Sequence, residues 1–175
     1  MKQLLCNDRL RLRAPEPYDR EYFARWENDT TLWDTGSTSA PYSLNQIDEY
    51  IATYNPDIFA TRQLRLMVEL TATSEVIGAV DIYDFDPVNR RAGVGFIIDP
   101  EHRGNGYGAE ALSLVNQYCR QRLYVKQLYA FVGIENYASK RTLENSLYKR
   151  CGKLRRWICT GADRYSDAFM YQIVF

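Results

Sequence analysis

The sequence predicts one mixed α+β domain built on a single central sheet, and three features carry that prediction. Between Arg65 and Asp99, three strand-like runs follow one another across short polar turns, the pattern of an antiparallel meander. A glycine-rich loop, "EHRGNGYG", then separates the last run from an amphipathic helical stretch. That stretch leads into a further strand, so the connection is a crossover and the two strands it joins should lie parallel. With 175 residues, the chain has room for one substantial core and little for two, so residues 1–175 are read as a single domain.

Each element has a local reason. "RLRLRAP" (Arg9 to Pro15) alternates charge and leucine, the period of a half-buried strand, and Pro15 and Pro17 end it. "DREYFARWEN" sets Tyr22, Phe23 and Trp26 on one helical face. Asn28 to Tyr42 is polar and turn-rich and reads as loop. Ser43 is placed to cap a helix whose inner face carries Leu44, Ile47 and Ile51. "RLMVEL", "EVIGAVDIYDF" and "RRAGVGFIID" are the meander strands, joined by "TATS" and "DPVN" turns. The helix from Ala109 to Arg122 has Leu112, Val115 and Cys119 as its inner stripe. Lys126 to Ile134 is the next strand, and Asn136 caps a helix expected to run to Arg150. "GKLRRWICT" and "DRYSDAFMYQIVF" close the chain as two strands around a "GAD" turn.

Composition excludes several function classes. Lys+Arg and Asp+Glu both total 22, so no global charge draws the chain to nucleic acid or to an anionic membrane. No apolar run approaches the ~20 residues that span a bilayer. The four cysteines form no CxxC pair and the only histidine is His102, so no metal site is expected. Free thiols at core positions such as Cys119, without a signal peptide, point to the cytoplasm. A homodimer is compatible with the sequence, and no feature demands one.

The loop carries the chemistry. Glycines that open a helix free backbone N–H groups, and with the helix dipole these form an anion site suited to phosphate. Arg103 adds a guanidinium at the rim. A P-loop would end in Gly-Lys-Ser/Thr, which "GNGYGAE" lacks. A dinucleotide fingerprint would follow the first strand of a parallel fold, whereas "RGNGYG" has different spacing and follows an antiparallel meander.

A third reading matches better. Arg103, Gly106 and Gly108 fit the pattern Arg/Gln-x-x-Gly-x-Gly/Ala. With the ordered elements around it, the chain resembles the GNAT superfamily of N-acetyltransferases over nearly its whole length. Within it, "RLRLRAPEPYD", "NRRAGVGFIIDPEHRGNGYGAEAL" and the pair Asn136 and Ser139 are similar to the branch of ribosomal-protein N-terminal acetyltransferases and spermidine/spermine acetyltransferases. The resemblance implies the GNAT fold: a mixed, mostly antiparallel sheet with helices on both faces and splayed strands at an acetyl-CoA site. It implies that Arg103, Gly104, Asn105, Gly106, Tyr107 and Gly108 receive the pyrophosphate, that Phe96, Ile97 and Ile98 pair with the pantetheine arm, and that Asn136 and Ser139 lie near its far end. Asn136 can serve as a helix cap at the same time.

The implied reaction is attack of an amine on the acetyl thioester. Backbone N–H groups of Ile97 and Ile98 are the expected donors to the thioester oxygen. Asp81 and Asp84 are the acidic candidates; Asp84 stands where the polyamine enzymes carry an acid, and Asp81 shares a register with Ile77, Ala79 and Tyr83. Which of the two faces the cleft stays open. Many relatives place a tyrosine where this chain has Leu143. Tyr148, and Ser139 or Tyr137 through water, are the remaining candidates for the acid. His102 is expected on the phosphate side or at the surface. The acceptor is expected to be a protein N-terminus or a small amine. "STSAPYSL" puts Ser39, Ala40 and Ser43 where polyamine enzymes have acids, although Glu27, Asp29 and Asp34 leave negative charge at the entrance. A polyamine acetyltransferase and an acyl-CoA-binding module without catalysis are the other readings.

Overall fold

The computed structural model describes residues 4–33 and 38–175. Asp34 lies outside them. The strands are β1 (Leu10–Arg13), β2 (Leu64–Leu70), β3 (Val76–Asp86), β4 (Arg91–Ile98), β5 (Gln127–Gly133), β6 (Lys149–Gly161) and β7 (Arg164–Val174). They form one sheet in the order β1-β2-β3-β4-β5-β7-β6. Every neighbouring pair is antiparallel except β4 and β5, which the crossover helix makes parallel. The mixed α+β class, the meander and the crossover are as the sequence predicts.

Helices cover both faces. α5 (Tyr107–Gln121) and α6 (Tyr137–Asn145) pack on one face, where Leu112, Val115, Cys119 and Leu143 meet Val80, Ile82, Val94, Leu128 and Ala130. α1 (Arg20–Glu27) and α3 (Leu44–Ala52) cover part of the other, where Phe23, Trp26, Ile47 and Ile51 sit over Met67, Val76 and Ala79. Ser43 caps α3 in a reciprocal box with Gln46. Burial pushes the Cys119 thiol up to about 12, consistent with an inert core residue. A buried ion cluster fastens β1 to the sheet: Arg13 bridges the buried Asp19 and Glu69 carboxylates. Removing one member would strand a buried charge, at about 3–5 kcal/mol.

Four details differ from the sequence reading. The segment after Asn28 is not all loop, because Thr30–Trp33 forms a short helix, α2. A second short helix, α4 (Ile58–Thr61), precedes β2. A bulge opposite Val68 and Glu69 shifts the β3 register, so Ile77 joins the α5 side while Ala79 faces α1 and α3. The helix expected to reach Arg150 stops at Asn145, because Leu147 takes a left-handed conformation (φ 71°) and the Tyr148 N–H turns back to the Leu143 carbonyl at 3.0 Å. That is a helix stop usually marked by glycine. Here a leucine occupies it, so the sequence gives no stop signal.

Leu147 is also 75% exposed, so it has little packing to lose. Leu147→Gly should relieve left-handed strain of about 1 kcal/mol and raise Tm by about 2–4 °C in a thermal melt. An unchanged or lowered Tm would contradict this account of the helix end.

Candidate functional site

β4 and β5 pair only through Arg91–Gly93 and Gln127–Tyr129. Beyond that point β4 stays bonded to β3 as far as Ile98, and β5 stays bonded to β7 as far as Gly133. The two strands therefore part, and their facing edges carry backbone groups with no ladder partner. The orientation of β4 in the gap follows from two contacts. The Ile97 carbonyl oxygen lies against Gly78 of β3, where an added Cβ would be 2.1 Å away. The Ile98 carbonyl accepts from Arg103 Nε at 2.8 Å. Backbone direction alternates along a strand, so Phe96 and Ile98 turn toward the gap and Ile97 turns toward β3. This corrects the expectation that the Ile97 N–H points into the opening.

The glycine loop stands at the C-terminal end of β4. Gly104 and Gly106 have φ of 80° and 81°, and a Cβ on either would meet no protein atom within 4 Å. The N–H groups of Gly104 to Ala109 have no hydrogen-bond partner among the described residues. α5 begins at Tyr107, two residues earlier than expected, so Tyr107 and Gly108 form its first turn. Gly108 is needed for packing, since a Cβ there would lie 3.1 Å from Thr142 of α6 and 3.7 Å from both Phe96 and Ile98. The result is an open cradle of donors at a helix N-terminus, which suits a phosphate group. The Asn105 side chain donates back to the His102 and Arg103 carbonyls and shapes the turn. His102 is partly buried, near Tyr107 and Glu75.

Two ties hold the cradle in place. Arg9 donates to the Asn105 carbonyl at 3.1 Å, pairs with Glu110 at 3.0 Å and lies over the Tyr107 ring. Asn7 also donates to Glu110, so the one acid in the first turn of α5 is engaged before it can repel an anion. At the end of β4, Asp99 accepts from Trp26 Nε1 at 2.7 Å and from Arg25, which fixes α1 to the start of the loop. Sequence reasoning missed Arg9, whose partners lie about a hundred positions away.

The expected catalytic residues do not converge. Asp81 is locked to Arg65 through both oxygens (2.7 and 3.0 Å), and Arg65 also binds Glu27 at 2.6 Å. Asp84 is exposed on a β3 bulge with a left-handed backbone (φ 49°) and has no ion-pair partner among the described residues. Burial raises the Tyr83 and Tyr129 phenols, and the nearby Asp84 charge adds to the rise. Ser139 is in the first turn of α6, where its N–H donates to the Asn136 side chain at 3.0 Å. Asn136 is thus a helix cap, at the open end of β5. Tyr148 departs from expectation: it is buried in the core just before β6, and its hydroxyl donates to Asn116 Oδ1 of α5 at 2.8 Å. Burial drives its phenol well above the ordinary value, so it serves the core and not a cleft. Leu143 is fully buried and offers no polar group.

The comparisons with known proteins point to one family. Residues 9–146 match the family model described as an acetyltransferase (GNAT) domain. An uncharacterized N-acetyltransferase of Bacillus subtilis, YoaA, is 31% identical over 175 residues, covering 99% of this chain and 98% of the relative. The spermidine N(1)-acetyltransferase of Vibrio cholerae is 27% identical over 146 residues, covering 83% of this chain and 79% of the relative. A crystal structure of the Vibrio cholerae spermidine N-acetyltransferase with CoA and spermine superposes with a TM-score of 0.81 at 25% identity, covering 96% of each chain.

Gly106→Val places a branched side chain in the cradle and in a left-handed conformation that valine resists. It should abolish CoA binding in a calorimetric titration, and Arg9→Ala should weaken it about five- to tenfold. Wild-type affinity in both variants would contradict the cradle.

Proposed function

The chain belongs to the acetyltransferase (GNAT) family, and from that premise we propose that it moves an acetyl group from acetyl-CoA to a primary amine by direct attack of the amine on the thioester. The observation that carries the proposal is the gap between β4 and β5, ending at an open N–H cradle on one side and at a free carboxylate and aromatic rings on the other. The residues fit the co-substrate: Gly104 to Gly108 offer donors for a pyrophosphate, and the free β4 edge at Phe96 and Ile98 can pair with an amide-bearing arm. Bound acetyl-CoA would supply a thioester, whose thiol leaves readily because its pKa is ~8.5.

The chain's own contribution is mostly positioning and electrostatics. Backbone N–H groups of Phe96 and Ile98 are aimed at the side where charge builds on the thioester oxygen. Asp84 attracts the acceptor's ammonium and takes part in removing its proton, directly or through water. Asp81 is less suited to that role, since Arg65 holds it as an ion pair. With Leu143 and Tyr148 both in the core, water or Ser139 returns a proton to the departing sulfur.

The acceptor is a protein N-terminus or a small amine. A polyamine is the second reading, favoured by the spermidine acetyltransferases among the relatives. The pH profile separates two of these classes. Only the neutral amine attacks, so kcat/KM should rise about tenfold per pH unit below the amine's pKa. An α-amine, at about 8, levels off near that pH, while an alkylamine at ~10.4 keeps rising.

Free-thiol release from acetyl-CoA should be measured against spermidine, spermine, peptides beginning with Ser, Ala or Met, and aminoglycosides. Turnover with one class supports the proposal; tight acetyl-CoA binding with no turnover on any of them would contradict it and favour a binding module. Asp84→Asn should lower kcat/KM for the acceptor about 10²-fold while leaving CoA affinity unchanged. Full activity in that variant would remove Asp84 from the mechanism.

A further inference from the structure

β4 carries glycine at two alternate positions, Gly93 and Gly95, so one face of the strand has no side chains there. The register places Tyr83 of β3 opposite Gly93 on one side and Tyr129 of β5 opposite it on the other. With nothing between them, the two rings meet across β4, their centroids 6.1 Å apart and their planes at 89°. Tyr83 lies so low over Gly93 that an added Cβ would be 2.2 Å from its ring. Gly95 is different: its nearest neighbour is the edge of the same ring, at 3.9 Å. One glycine is roofed by Tyr83 and the next is open, just past the last residue of β4 that pairs with β5. The aromatic row continues from Tyr129 to Phe131 (5.5 Å) and on to Trp157 (5.6 Å).

Three further facts define what Tyr83 can do. Its hydroxyl has no hydrogen-bond partner among the described residues, and the side chain is half-buried. Burial, followed by Tyr129, Asp84 and Asp81, pushes its phenol up to about 12. Such a phenol stays neutral in any ordinary assay, and it is a poor acid toward a thiolate whose conjugate acid has a pKa of ~8.5. A phenol raised in this way does not favour proton delivery. What remains is a flat, electron-rich wall with a free hydroxyl, standing beside the unpaired Asp84 carboxylate.

We propose that Tyr83 is the acceptor-side specificity residue: its ring, propped over Gly93 by Tyr129, sets the depth of the groove leading to Gly95 and holds the acceptor's alkylammonium group against its face, with Asp84 alongside. This rests on the acetyltransferase reading above and assigns that reaction its acceptor wall. An ammonium over an aromatic face is attractive, and more so in a desolvated site. Removing the ring costs that attraction and opens the space over Gly93, so bulkier amines gain entry as slim ones lose affinity.

The test is steady-state kinetics of Y83A, Y83L, Y83F and G93A with acetyl-CoA against spermidine, an Ala-initiated tripeptide and an aminoglycoside, beside acetyl-CoA affinity. Y83A should raise KM for the amine preferred by the wild type about ten- to thirtyfold, with acetyl-CoA affinity within about twofold. Y83L keeps bulk without the π face and should share most of the loss; Y83F should stay within about threefold. G93A should imitate Y83A, because its methyl group displaces the ring, and the double variant should be no worse than Y83A alone. An active wild type whose KM values and amine ranking survive Y83A and G93A would overturn this inference alone. Equal losses for acetyl-CoA and amine would also overturn it, as the sign of a merely structural residue. A wild type that binds acetyl-CoA and turns over no amine would overturn both readings.

Discussion

The site depends on an unfinished strand pair. β4 and β5 are parallel neighbours, yet each completes its ladder on the far side, with β3 and with β7. Three paired residues hold them together, after which both strands keep their outer partners and give up each other. Backbone groups that would be costly to leave unpaired in a core are here left free at an edge that a ligand can complete. A ligand with amides of its own meets that edge as a missing strand would.

The rest of the fold places groups at the ends of this gap. Because β4 and β5 are parallel, the helices that follow them both start at the same end of the sheet. α5 brings the N–H cradle there and α6 brings Asn136 and Ser139. Arg9, just before β1, reaches the cradle, and Asp99 at the end of β4 ties its start to α1, so parts of the chain far apart in sequence set its position. On the face beyond α1, the glycines of β4 let side chains of β3 and β5 touch across it, which makes that face narrow and aromatic. The cradle side is thus made mostly of backbone and the aromatic side mostly of side chains. Enzymes that share the first and vary the second can keep one donor while changing acceptors.

Much of this was legible in the sequence because the signals are local. Alternation marked the strands, the Leu112, Val115 and Cys119 stripe marked the inner face of α5, and the glycines between Arg103 and Gly108 marked an anion loop. The features that escaped depend on distant contacts or on a missing local signal. Nothing around Tyr148 announces that Asn116 will hold its hydroxyl in the core. Leu147 ends α6 without the glycine that would have shown the stop. What separates Asp81 from Asp84 is the pairing of Asp81 with Arg65, which Glu27 shares, and a bulge that strict alternation does not foresee. The alternate glycines of "AGVGF" were a readable hint of an empty strand face, but only the neighbouring registers show which rings fill it.

The most direct test of the account is amide hydrogen exchange with and without acetyl-CoA. Completion of the open β4 edge and of the cradle predicts new protection at Phe96, Ile98 and Gly104 to Ala109, with little change at Ile97, which already faces β3. Protection elsewhere with none at these amides would contradict the claim that the gap between β4 and β5 is where the acetyl donor binds.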